Sequence, residues 1–170
     1  MFYISETDSQ LQFLENAGKG GVFVLAIPDS FAKHPKLAKA IAVYVRPLSQ
    51  SKGYIIPIEH DDGMNVDKAR VSAMLLNYDK VYTLDKKNLL YHFNIQRAID
   101  INLLYSMTYF QRLDVSYDTL LSNWYSRHFS SYLETNRIIP LTKLHEHSEL
   151  LFEKIKQYIE LEVPSGFEFY

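Results

Sequence analysis

Apolar positions along this chain change period as it proceeds. From Val22 to Ile27 they run without interruption as VFVLAI, and the β-branched content predicts a buried strand. Pro28 ends its ladder, because proline has no N–H to donate. Ala40 to Pro47 and Tyr54 to Ile58 read as two further strands, joined by Ser49-Gln50-Ser51-Lys52-Gly53, a connection of hairpin length and composition. These three runs predict an antiparallel start to a sheet. The period then becomes helical, with Val66, Ala69, Ala73 and Leu76 on one face. A helix is expected from Val66 to Asn77, capped by Asn65 after the loop His60-Asp61-Asp62-Gly63.

Beyond it, Lys80 to Leu84 reads as a short strand, Asp85 as the cap of a helix from Lys86 to Phe93, and Ala98 to Ile101 as a returning strand. Strand, helix, strand in that order implies a parallel crossover. Leu103 to Phe110, Tyr117 to Phe129 and Leu141 to Glu160 read as helices, making the C-terminal third helical; Pro140 is tolerated at the start of the last. At the other end, Phe2-Tyr3-Ile4 suits a short strand, and Thr7 with Gln10 forms a weak capping box for a helix reaching about Asn16, broken by Gly18, Gly20 and Gly21. Residues 29–39 read as a polar connection. With no repeat, low-complexity segment or linker, residues 1–170 are expected to form a single α/β domain around a mixed sheet.

Composition narrows the function classes. A chain of 170 residues that is 47% apolar is long enough to bury a real core. Its 18 basic and 20 acidic residues leave a net charge of -2, so any nucleic-acid contact must be local rather than a global field effect. The absence of cysteine excludes disulfides and thiolate metal sites. No stretch approaches the about 20 apolar residues needed to span a bilayer, and Met1 to Glu6 lacks the basic region of a signal peptide; a soluble cytoplasmic protein without membrane partners is the expectation. The 13 tyrosines and 10 phenylalanines serve mainly as core volume, while rings exposed in the helical end offer a surface for a homo-oligomer.

Several segments together carry a family resemblance. Gly53-Tyr54-Ile55-Ile56-Pro57-Ile58-Glu59-His60 is a strand ending in Pro-x-x-His, and Lys80-Val81-Tyr82-Thr83-Leu84-Asp85-Lys86-Lys87 is a strand-to-helix junction. Ala98-Ile99-Asp100-Ile101-Asn102-Leu103-Leu104-Tyr105 is a strand ending at an aspartate, and Asp118 to Tyr125 is a Leu-rich turn followed by Trp124. In this order they resemble the ribonuclease H-like 3'-5' exonuclease domain of family A DNA polymerases, over most of the chain and at low identity.

The resemblance implies a two-metal nuclease site, which needs clustered carboxylates to hold both ions. Its first motif, Asp-x-Glu, falls at Ala26 to Pro28; neighbouring Asp29 has Phe31, not glutamate, two residues on. The second acid falls at Leu89, or at Asn88 with a one-residue shift, and the third motif, Tyr-x-x-x-Asp, falls on Lys143 and His147. Asp100 is the family residue best retained. The resemblance therefore implies a vestigial site at Ala26, Pro28, Leu89, Lys143 and His147, with no catalytic residue, metal or cofactor. The module would be structural, or would bind protein or DNA, in replication, with a polymerase domain, another replication protein or single-stranded DNA as partner. Two alternatives stay open: an active Mg²⁺- or Mn²⁺-dependent exonuclease with a rearranged acidic set drawn from Asp29, Asp85, Asp100, Glu146 and Glu149, and a stand-alone protein-binding module.

Other constellations are weaker. His145 and Glu149 lie one helical turn apart, close enough to share an ion with Glu146 and His147 nearby, although a solvated helix face explains the same pattern. Glu59, His60, Asp61 and Asp62 suit a cation or acid–base chemistry, but equally a capped loop. Gly18-Lys19-Gly20-Gly21 lacks phosphate-loop spacing, and no Gly-x-Ser-x-Gly elbow is present. Lys33, Lys36, Lys39, Arg46 and Lys52, interleaved with Phe31, His34 and Tyr44, suit phosphate contact. The residues expected to contact DNA are Arg46, Lys52, Lys86 and Lys87.

Overall fold

The computed structural model describes residues 14, 20–28, 39–60, 65–84, 86–110, 140–161 and 163–164. The expected elements at Phe2 to Ile4, Thr7 to Asn16 (apart from Leu14) and Tyr117 to Phe129 lie outside these residues. So do Asp29, Phe31, Lys33, His34, Lys36, Asp61, Asp62, Asp85 and Trp124.

Among the described residues five strands form one mixed sheet: β1 (Gly21–Pro28), β2 (Ala40–Pro47), β3 (Tyr54–Pro57), β4 (Lys80–Thr83) and β5 (Ile99–Asp100). Their order is β3-β2-β1-β4-β5, with β1 antiparallel to β2 and parallel to β4, β2 antiparallel to β3, and β4 parallel to β5. The unbroken apolar runs of β1 and β2 follow from this topology, because both strands are central and covered on both faces. Ile27 pairs with Ala42 and Pro28 with Ala40, so Ile41 is the extra residue of a bulge. Its carbonyl accepts instead from Ile58 N–H (3.0 Å) and Glu59 N–H (3.3 Å).

Helix α1 (Lys68–Leu76) links β3 to β4, and α2 (Lys86–Phe93) links β4 to β5. Both crossovers move in the same direction across the sheet, so the fixed right hand of such connections puts both helices on one face. Val71, Met74 and Leu75 of α1 and Leu89 and Phe93 of α2 accordingly share a core with Val22, Val24 and Ala26 of β1. Leu14 joins that core, and Tyr78 Oη donates to its carbonyl at 3.2 Å. The opposite face carries α3 (Ile101–Tyr109) and α4 (Leu141–Ile155), whose Ile101, Leu104, Leu144, Leu151 and Phe152 pack on Phe23, Leu25 and Ile27. Alternation along β1 thus feeds two separate cores.

Element boundaries depart from expectation where polar side chains choose them. Helix α1 begins at Lys68 rather than Val66, capped by Asp67, whose side chain accepts from Ala69 N–H at 2.8 Å. Asn65, the expected cap, instead accepts from His60 N–H at 2.9 Å and closes the loop after β3. Strand β5 has two residues rather than four because Asp100 caps α3 and turns the chain into helix at Ile101. The last helix is α-helical to Ile155 and 3₁₀ from Lys156 to Glu160. No helix among the described residues is long and apolar enough to cross a membrane.

Candidate functional site

Strand polarity sorts the candidate residues between two edges of the sheet. Strands β1, β3, β4 and β5 point the same way, so Pro28, Pro57, Thr83 and Asp100 end at a common C-terminal edge. Glu59, His60, Lys86 and Lys87 follow β3 and β4 directly and belong to this edge. The β2–β3 hairpin at residues 48–53 lies at the opposite edge, level with Gly21, whose carbonyl accepts from Leu48 N–H at 3.0 Å.

Two of the three positions where the resemblance implies metal ligands are apolar and buried in the same core. Ala26 is 2% exposed and Leu89 fully buried, both in the core between the sheet and helices α1 and α2. Pro28, two residues beyond Ala26, shares its side of β1. The side chain of Asn88 lies outside the described residues. Asp100 is at the C-terminal edge, but its oxygens serve two helix starts: Oδ1 accepts from Leu103 N–H at 3.1 Å and Oδ2 from Lys86 N–H at 3.3 Å. It thereby satisfies amides that the first turns of α2 and α3 leave without intrahelical partners.

Helix α4 carries the third position elsewhere. It packs on the other face of the sheet, and its residues 145 and 149 both touch Gly53 at the hairpin edge. His147 lies between them, within about 3 Å of each along the helix axis. Eight-residue β1 separates that edge from Pro28 by about 23 Å. Lys143 is exposed and pairs with Glu146 at 3.7 Å. Ala26 and Leu89 thus belong to the core on one face of the sheet, and His147 to a helix on the other.

The densest polar cluster among the described residues is at the hairpin edge. Arg46 is buried, with Nη1 2.6 Å from Glu149 Oε2, Nε donating to Gln50 O at 3.3 Å, and Cζ 4.4 Å from the Phe152 ring centre. Glu149 Oε1 accepts from Gly53 N–H at 2.6 Å. His145 Nε2 lies 3.0 Å from Gly53 O and 3.2 Å from Glu149 Oε1. Both of those oxygens are acceptors, so Nε2 carries the proton. Tyr44 completes the cluster: its hydroxyl is buried facing Arg46 and Glu149 without making a hydrogen bond. Burial pushes its pKa above the ordinary tyrosine value, with Arg46 acting in the opposite sense.

This arrangement revises two expectations. Arg46 was expected on a phosphate-contacting surface, yet it is buried and held by Glu149. Of the other three, Lys52 is exposed at the hairpin edge while Lys86 and Lys87 begin α2 at the opposite edge, so the four form no common patch. His145 and Glu149 do meet, as their spacing suggests, but the carboxylate is already satisfied by Arg46 and Gly53. Among the described residues no group of three or more His, Asp or Glu is placed to hold a metal ion.

The sequence reading missed the tie between Arg46 and Glu149. Its signal was an arginine inside an apolar strand, since a buried charge requires a partner. It also read Gly53 as a turn residue. A Cβ there would lie 2.4 Å from the Tyr44 ring, so glycine is required for close approach. Compared with family models and with curated protein sequences, the chain matches none. What fold and geometry define is an α/β protein with a five-stranded mixed sheet.

Proposed function

We propose that this chain is a ribonuclease H-like domain without nuclease activity, serving as a structural or interaction module in DNA replication. The observation that carries the reading is that Ala26 and Leu89 are both buried in the core between the sheet and helices α1 and α2. Two apolar side chains sealed in a core supply no oxygen ligands, so the residues there do not fit a two-metal clamp. The order β3-β2-β1-β4-β5, antiparallel first and parallel afterwards, agrees with the sheet that the resemblance implies. Fold alone does not assign function, and the reading rests on the altered site. The position of His147 gives it no support.

An active nuclease with rearranged acids draws little from the described residues, because Asp100 is engaged at two helix starts and Glu146 pairs with Lys143 on another element. Nucleic-acid contact, where it occurs, falls to Lys86 and Lys87 beside the C-terminal edge. The test is incubation of the purified chain with labelled single-stranded DNA and Mg²⁺ or Mn²⁺. Intact DNA is the expected result; degradation abolished by Asp29→Ala, Asp85→Ala or Asp100→Ala overturns the proposal. In the same assay two lysine–phosphate contacts give a slope of log K against log salt of about -1.4. A slope unchanged in Lys86→Ala/Lys87→Ala removes these residues from the interface. No binding at low salt favours the protein-binding role.

A further inference from the structure

We draw no further inference here: the strongest candidate, the exposed apolar patch of Leu103 and Met107 on α3 with Phe110 at its C-terminal cap, carries nothing because nothing in the structure shows what covers it.

Discussion

Replacing Glu149 by alanine removes a carboxylate that joins α4 to the β2–β3 hairpin. The Arg46 guanidinium, on a side chain 7% exposed, and the Gly53 N–H lose their partner, while His145 Nε2 keeps the Gly53 carbonyl. Breaking a buried ion pair from one side costs about 3–5 kcal/mol, because the remaining charge stays desolvated. Two features lower that figure. Glu149 itself retains 22% exposure, and Arg46 keeps the Gln50 carbonyl and the face of Phe152. We therefore expect a loss of about 2–4 kcal/mol for Glu149→Ala. At about 2–4 °C per kcal/mol for a chain of this size, Tm falls by about 4–16 °C. Urea unfolding followed by circular dichroism measures the free energy, and calorimetry measures Tm. The companion variant Arg46→Met/Glu149→Leu removes both charges and should lie within about 1 kcal/mol of the original chain, since apolar replacements avoid the desolvation cost. A single-variant loss below about 1 kcal/mol, or a double variant as unstable as the sum of its singles, would refute the reasoning that these groups depend on each other.

The same cluster yields a steric prediction: Gly53→Ala should destabilise by about 1–3 kcal/mol by overpacking against Tyr44, whereas Tyr44→Phe, which deletes a buried hydroxyl lacking a hydrogen bond, should be neutral or stabilising. Denaturant midpoints distinguish the two, and equal losses would remove the close approach as the cause. Asp100→Ala should cost about 1–2 kcal/mol through two uncapped helix starts, while Asp100→Asn recovers most of the loss; a full loss in Asp100→Asn would argue for a role that needs the charge. Burial raises the pKa values of Tyr44, Tyr78 and Tyr82, pushing Tyr78 up to about 12. The unfolded chain ionises first, so their contribution to stability is complete below about pH 10 and declines as pH rises beyond it. Phenolate absorbance should therefore show Tyr44, Tyr78 and Tyr82 titrating only with loss of the fold; their titration near pH 10 in a folded chain would contradict the burial.

The sheet was legible because its signal is local. Continuous apolar runs mark β1 and β2, and the change of period at Val66 marks the first crossover. Boundaries were less legible where two capping residues compete. Asn65 and Asp67 both suit a helix start, and the choice depends on His60 N–H, which needs an acceptor only once β3 has turned. Asp100 shows the same limitation from the other side. A strand ending in aspartate has the form of a nuclease motif, yet a carboxylate between two helix starts is accounted for by their free amides. Glu149 was harder still, since 103 residues separate it from Arg46 and only the path of the chain across the sheet brings them together.

This difference bears on the weight each position has in the proposed reading. Ala26 and Leu89 are both buried in one core, and apolar side chains there supply no ligand to a metal clamp. His147 belongs to a helix held at the far edge, so its failure to match an aspartate says nothing about that position. Two buried apolar residues therefore carry the inactive reading, and Asp100→Asn tests whether the Asp100 carboxylate is more than a cap. If Mn²⁺ raises the Tm of the original chain and not that of Asp100→Asn, the carboxylate binds metal and the inactive reading fails at its strongest point.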